Sequence, residues 1–351
     1  MGVYKAIGLM SGTSFDGVDV ACLVTDGEAI VRPGPSGYRP YSDAECGVLR
    51  AALSAAVSLT DRHARPGILA EAEELVTRAH GDAVEAFLIA HQMRAVEIDI
   101  VGFHGQTVLH RPQDRLTVQI GDGPALAKRI GIPVVYDFRA ADVATGGEGA
   151  PLLPVYHRAL ARLLDIPGPV AVVNLGGVGN ITYLDGDADP IAFDTGPANA
   201  PIDDLVFKRT GALRDEDGKL AAKGEVNEAV VAKVLSDPFF SKRPPKSLDR
   251  AQFAGLPLEE LSTEDAAATA TAIVASAVAR AVDFLPKKPS IFIVAGGGAR
   301  NPTLLAMLRD RLGKIVRTAD EVGWSSDALE AQGFAYMAVR SIRNWPITFP
   351  S

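Results

Sequence analysis

The chain has 351 residues, 47% of them apolar and 22% charged, a balance that supplies a sizeable core and excludes both a disordered segment and a disulfide-stapled miniature fold. Its 35 basic against 43 acidic residues leave a formal charge of −8, which excludes a general nucleic-acid binder, because such binding needs a clustered cationic surface. Glycine is in excess, 34 residues or about 10% against a usual ~7%, and the excess gathers at the ends of apolar runs.

From the N-terminus, apolar runs at residues 4–10 and 18–24 flank Ser11-Gly12-Thr13-Ser14-Phe15-Asp16-Gly17, which predicts two strands joined by a glycine-bearing turn. The opening stretch lacks a secretory pattern, and Cys22 and Cys46 form no C-x-x-C pair, so a reducing, cytoplasmic setting is expected. Residues 43–91 are rich in Ala, Leu and Glu at helical spacing. Short strands are expected at 98–103, 116–120 and 134–136, with a helix at 124–129 closed by Gly131 and Pro133.

A second set follows Pro151. A helix at 153–164 leads to strands at 170–175, 181–184 and 191–193, repeating the opening order of strand, glycine turn, strand. Helical material dominates 201–285, interrupted at Arg243-Pro244-Pro245, where the cationic Arg243 to Lys246 stretch is read as a solvated loop. The weakly polar run at 266–279 is short of the 18 or more residues of a membrane span and is read as a buried helix. A strand at 291–295 then runs into Gly296-Gly297-Gly298, and helices close the chain, the last at about 327–343. Two halves of this kind predict two α/β domains, 1–145 and 146–326, with a cleft between them and the C-terminal helix, about 327–351, packing back on the first.

Several strand ends carry residues suited to chemistry. The turn from Gly12 to Asp19 offers N–H and O–H donors from Gly12, Thr13, Ser14 and Gly17 to phosphate oxygens, with Asp16 and Asp19 able to hold Mg²⁺ through water; an ordinary hairpin turn favours the same residues. Asn174 to Asn180, with Gly176 and Gly177, and Ala295 to Pro302, with Gly296, Gly297, Gly298 and Asn301, are glycine-rich turns after strands. Neither is a Walker A loop or a clean G-x-G-x-x-G. Three such turns spaced along the chain suggest a nucleotide gripped from several sides.

Asp194 ends a predicted strand before Thr195-Gly196-Pro197, a position that suits a general base and equally a helix N-cap. His104 and Gln106 follow another strand and suit hydrogen bonding to a sugar, with a structural histidine as the alternative. Arg139 and Asp142 stand beside Gly146-Gly147-Glu148-Gly149, apt for a carboxylate-bearing ligand, a hinge, or a surface ion pair. The histidines show no zinc-ligand spacing.

Together, GLMSGTSFDGVDV (8–20), GFHGQTVLHRP (102–112), QIGDGPALA (119–127), DFRAADVATGGEGAPLLP (137–154), NLGGVGNIT (174–182), FDTGPANAPID (193–203), VAGGGARN (294–301) and DALEAQGFAY (327–336) resemble the anhydro-N-acetylmuramic acid kinases, in order over nearly the whole chain. The resemblance implies a fold like that of hexokinase, Hsp70 and actin, a ribonuclease H-like pair of α/β domains with ATP and Mg²⁺ in the interdomain cleft. It also implies a reaction that opens the 1,6-anhydro ring with water and transfers the γ-phosphate of ATP to O6, as in murein recycling.

Carried over by position, Asp194 matches the catalytic aspartate. Gly12 to Asp19 would hold the β- and γ-phosphates and the hydrated metal. Gly176, Gly177 and Asn180 match a second phosphate-facing turn, and Gly296 to Gly298 with Asn301 match the adenosine side. His104, Gln106, Arg139, Asp142 and Glu330 are the sugar-side choices. The chain departs from the family pattern at Ala198, where many members have glycine, and the 247–250 region follows only some of them. The expected partners are a small sugar and ATP, with no nucleic acid or membrane; a homodimer is left open. A kinase of another amino sugar, or a non-catalytic sugar or nucleotide sensor of the same fold, are the competing readings.

Overall fold

The computed structural model describes residues 2–12, 15–248, 250–253 and 255–349. Thr13 and Ser14, expected at the phosphate turn, lie outside the described residues. The chain divides into two compact units, one formed by residues 1–160 and 328–350 and the other by 161–327. Residues 146–160 thus continue the first unit.

In the first unit β1 (Tyr4–Met10), β2 (Gly17–Thr25) and β3 (Val31–Pro40) form an antiparallel meander. Then β4 (Ile100–Phe103) pairs parallel with β1, and β7 (Val134–Tyr136) parallel with β4, so the order is β3-β2-β1-β4-β7. A separate hairpin joins β5 (Gln106–Arg111) to β6 (Leu116–Ile120). The helices are α1 (Asp43–Ala56), α2 (Ile68–Ala90), α3 (Gly123–Ile130), α4 (Ala140–Ala144) and α5 (Pro154–Ala161), with α11 (Leu329–Ile342) from the end of the chain. Ser42 starts α1 with a reciprocal capping box to Glu45.

Alternation along β1 decides its two faces. Ile7 and Leu9 enter a core with Leu69, Val76 and Val84 of α2. Gly8 faces the other way, in register with Gly102 of β4. A Cβ on Gly8 would lie 1.7 Å from the Ala331 carbonyl oxygen, and one on Gly102 would lie 2.1 Å from that of Phe334. Helix α11 therefore rests on the sheet backbone to backbone, and only glycine leaves room for it.

The second unit repeats the scheme. β8 (Val170–Leu175), β9 (Val178–Leu184) and β10 (Ile191–Pro197) form a meander, β11 (Ile291–Ala295) pairs parallel with β8, and β12 (Ile315–Thr318) parallel with β11. The order, β10-β9-β8-β11-β12, is that of the first sheet position by position. Around it lie α6 (Asn199–Thr210), α7 (Glu228–Leu235), α8 (Pro238–Ser241), α9 (Thr263–Ala281) and α10 (Pro302–Leu312).

Helix α9 with its following turn, Thr263–Phe284, is 22 residues long with mean hydropathy 1.3, enough by length and composition to cross a membrane. It exceeds the 14-residue run expected from sequence. Yet 14 of the 19 residues of α9 are buried, and Ala270, Ile273, Val274 and Val278 among them share a core with Val173, Phe193 and Phe292 of the sheet, so the expectation of a buried core helix holds.

Candidate active site

In the first unit the site residues gather where β1 and β4, parallel neighbours, both end. Ser11, the residue after β1, is fully buried. Its Oγ donates to Gln106 Oε1 at 2.7 Å, which leaves the Tyr41 hydroxyl, 3.1 Å away, to donate to Ser11. Gln106 Nε2 in turn donates to the Gly12 carbonyl at 3.2 Å. Both ends of this buried amide thus hold the backbone and side chain of the Ser11–Gly12 segment.

His104 has a similar role. Its Nδ1 lies 3.1 Å from the Ser11 carbonyl oxygen and 2.9 Å from that of Gly105. Carbonyls only accept, so Nδ1 carries the proton and Nε2 is the acceptor for Arg139 Nη2 at 3.3 Å. Burial, reinforced by the Arg139 charge, pushes the imidazole down to about 3 and keeps it neutral. The ring packs on Phe334 of α11 at 4.8 Å between centroids, and Phe334 also meets Phe138 at 5.3 Å.

Arg139 is fixed from several directions. Its amide donates to Gln119 Oε1 at 3.3 Å, while Gln119 Nε2 donates to the His104 carbonyl at 2.8 Å. Arg139 Nη1 donates to the Gly149 carbonyl at 2.7 Å, and the Gly149 amide donates to Asp142 Oδ2 at 2.8 Å. His104, Gln106, Arg139 and Asp142 therefore belong to one hydrogen-bonded chain. Ser11, Tyr41 and Gln119 complete it, and Phe334 packs against the His104 ring. None of these four was singled out from sequence, although Ser11, Gln119 and Phe334 lie inside the resembling strings; Tyr41 carried no signal. Glu330, half-buried in the first turn of α11, stands one turn before Phe334 on the same helix face.

The expected hydrogen bonds from His104 and Gln106 to a sugar are at odds with these contacts. Both ring nitrogens of His104 face protein partners, and the Gln106 amide is fully buried against Ser11 and Gly12.

Asp16 is exposed and accepts from the Gly17 amide at 3.0 Å, and Asp19 pairs across the sheet with Tyr38. Partial desolvation and then the charges of Asp16 and Asp19 push the Tyr38 phenol up to about 12, so both carboxylates act on one spot of the β2–β3 ribbon. Among the described residues no group of three or more His, Cys, Asp or Glu side chains is placed to hold a metal. Two carboxylates with oxygen-only chemistry fit a hard, partly hydrated Mg²⁺, which keeps its waters and takes few protein ligands.

In the second unit, Asp194, Asn180, Asn174 and Ala295 form one row across β10, β9, β8 and β11. Asp194 is 8% exposed. Its amide donates to the Lys246 carbonyl at 3.1 Å, and its Oδ2 accepts from the Leu248 amide at 2.8 Å. The N-cap alternative fails, because Ala198 caps α6 with no side-chain bond. The register shifts at Thr195, between Asp194 and Gly196, as a bulge, after which Gly196 and Pro197 resume pairing with Gly179 and Val178, so Asp194 lies within β10 and not at its end as expected.

The turn at Gly176 and Gly177 receives the start of α6. The Gly176 carbonyl accepts from the Asn199 amide at 2.8 Å, and that of Gly177 accepts from Ala198 and Ala200 at 3.1 and 3.3 Å. Ala198, where many family members have glycine, is fully buried at the N-cap of α6 with φ −128° and ψ −116°, a backbone in neither the α nor the β region.

A Cβ on Gly176 would meet only Val178 O at 3.8 Å, so space is open in front of that turn. Gly296 and Gly298 differ. A Cβ on either would come within 2.5 Å of Asn174 Oδ1 or Leu175 Cβ, so packing against β8 already requires them. Asn301 Oδ1 caps α10 by accepting from Leu304 at 3.0 Å, a structural duty beside the expected adenosine contact. Lys246, expected in a solvated loop, is 2% exposed and belongs to the core beneath Asp194.

A family model described as anhydro-N-acetylmuramic acid kinase matches residues 4–351. The chain belongs to the anhydro-N-acetylmuramic acid kinase family. It is 57% identical over 347 residues to the family member of that name from Bradyrhizobium diazoefficiens, covering 99% of this chain and 95% of the relative. It is 58% identical over 346 residues to the one from Rhodopseudomonas palustris strain BisB18, covering 98% and 95%. Among solved structures, component A of (R)-2-hydroxyglutaryl-CoA dehydratase from Acidaminococcus fermentans is similar over 97% of this chain and 99% of that one, with a TM-score of 0.52 at 12% identity. That likeness is one of fold. The chain's two α/β units, each with a five-stranded mixed sheet, share that fold.

Proposed function

We propose that this protein uses ATP to convert anhydro-N-acetylmuramic acid into N-acetylmuramate 6-phosphate and ADP, in the cytoplasm, as a step of murein recycling. The observation that carries the reading is the whole-length match to relatives named for this kinase activity. Asp194 then takes a proton from the water that attacks the anomeric carbon. The O6 released by ring opening attacks the γ-phosphorus, so the leaving group of one bond cleavage is the acceptor of the next. A positioned base of this kind contributes about 10²–10⁴-fold, and positioning with charge neutralisation supplies much of the rest in phosphoryl transfer.

The Leu248 amide orients one oxygen of Asp194, and the bulge at Thr195 shifts the strand register beside it. Gly12, Thr13, Ser14 and Gly17 bind β- and γ-phosphates, and Gly176, Gly177 and Asn180 form the second phosphate-facing turn. Gly296 to Gly298 and Asn301 line the adenosine side. Arg139, Asp142 and Glu330 serve the sugar, while His104 and Gln106 serve it indirectly by holding Arg139 and the Ser11–Gly12 segment. Asp16 and Asp19 would hold Mg²⁺ through water, where the ion supplies charge neutralisation to the phosphates.

The test incubates the protein with ATP, Mg²⁺ and anhydro-N-acetylmuramic acid and identifies products by phosphorus NMR. A phosphomonoester on C6 and one ADP per sugar are expected. No ADP above the ATP-only background contradicts the reading, and turnover only with a different amino sugar moves the protein to another substrate.

A further inference from the structure

A lysine ammonium buried in an aromatic core is rare and costly unless something compensates for lost hydration. Lys246 is such a group at 2% exposure. Its Nζ donates to the Phe239 carbonyl at 3.1 Å. It also lies 4.5 Å from the Phe239 ring centroid, 4.7 Å from that of Phe284 and 5.6 Å from that of Phe193, within the range of cation–π attraction. Phe193 is the residue before Asp194. The main chain at and just after this anchor holds Asp194: the Lys246 carbonyl accepts from the Asp194 amide, and the Leu248 amide donates to the carboxylate.

We propose that Lys246 is a positioning residue for Asp194, its caged ammonium pinning the 246–248 segment so that the segment's backbone fixes the aspartate carboxylate, and its charge favouring the ionised form of that carboxylate. The charged groups that act on Lys246 are Lys242 on its own segment, Asp194 on β10 and Arg280 at the end of α9. Asp194 is the carboxylate among them. A methionine would fill the same cage with less desolvation cost, so packing alone does not call for lysine. Burial, with the like charges of Lys242 and Arg280, brings the ammonium down to about 8 against the opposing pull of Asp194.

The role rests on Asp194 being the base of the proposed reaction, and two measurements separate the failure of one from failure of the other. In the first, Lys246→Met and Lys246→Arg are compared with wild type in kcat, KM and the pH profile of kcat. Lys246→Met is expected to lower kcat about 10- to 100-fold, the size of loss a misplaced catalytic group produces, with KM for ATP and sugar within about threefold. Its acid limb should rise by about half a pH unit or more, because a nearby cation favours the carboxylate. Lys246→Arg keeps the charge and should leave the acid limb where wild type has it. A Lys246→Met enzyme with an unchanged acid limb, whatever its melting temperature, overturns the proposal.

The second needs neither turnover nor a lysine variant. The ε-carbon resonance of Lys246 is titrated by NMR in wild type and in Asp194→Asn. Loss of the aspartate charge should lower the lysine titration by about half a unit or more, and an identical titration in both proteins contradicts the coupling even if the kinase reading stands.

Discussion

The Nε2 atom of His104 accepts from the Arg139 guanidinium at 3.3 Å while its Nδ1 donates toward the carbonyls of Ser11 and Gly105. One neutral imidazole thus ties the end of β1 to the arginine on the far side of β4, and protonation would put a cation against a cation. His104 shares its neutrality with two other buried histidines. Burial pushes His80 down to about 4 and His157 to about 3.

These three side chains make stability depend on pH with a definite sign. Below pH 6.5 the unfolded chain takes up protons that the folded chain refuses until about pH 4 or lower, so stability is fully present above 6.5 and declines as pH falls. At pH 5 each histidine costs up to about 2 kcal/mol. Thermal melts between pH 8 and 5 should show a melting temperature that is flat above about 6.5 and falls below it. A flat curve down to pH 5 contradicts the neutral assignment.

The glycine pair beneath α11 makes a second prediction. Gly8→Ala and Gly102→Ala each force a Cβ into helix backbone, which cannot rotate aside, so each should cost about 3 kcal/mol or more, the upper range for overpacking. Gly47, exposed in the middle of α1 with nothing within 4 Å of its would-be Cβ, is the control. Gly47→Ala should stabilise by up to about 1 kcal/mol. Denaturant unfolding of the three variants decides the matter, and equal stability for Gly8→Ala and wild type would show that α11 does not rest on β1 as described.

The same glycines show what the sequence could and could not reveal. Apolar runs gave β1, β6, β7, β8 and β11 nearly residue for residue, because these strands are short and largely apolar, and all but β7 are mostly buried. The strand β3 escaped: Pro33, Pro35, Gly34 and Gly37 read as breakers, and an edge strand with one exposed face tolerates them. The strands β5 and β12 escaped for want of an apolar run.

At the candidate site, strand ends and glycine turns pointed to Asp194, His104 and Arg139, but not to how each is held. Lys246 was hidden by its neighbours, since Arg243-Pro-Pro-Lys looks like a wet loop until Phe193, Phe239 and Phe284 close around the ammonium. Gln119 and Tyr41 act through contacts 20 to 30 residues distant in the chain, which no local pattern encodes.

The carboxylates of Asp16 and Asp19 give a third prediction. Removing either as Asp16→Asn or Asp19→Asn should raise the Mg²⁺ concentration needed for half-maximal activity about 10- to 100-fold, the range for groups that hold a metal at one remove. The Tyr38 phenol, pushed up to about 12 partly by these two charges, should titrate lower in the double variant, read by ultraviolet absorbance without any metal. A shifted phenol with unchanged Mg²⁺ dependence would keep the geometry and remove the metal role.

The claim on which the rest depends is that Asp194, held by the Leu248 amide just before the bulge in β10, is the base that starts the reaction. Steady-state ADP release with saturating ATP, Mg²⁺ and anhydro-N-acetylmuramic acid, compared between wild type and Asp194→Asn, tests it directly. The account predicts a kcat about 10²–10⁴-fold lower in the variant, with nucleotide and sugar binding by calorimetry retained. An Asp194→Asn enzyme that turns over at the wild-type rate would contradict it.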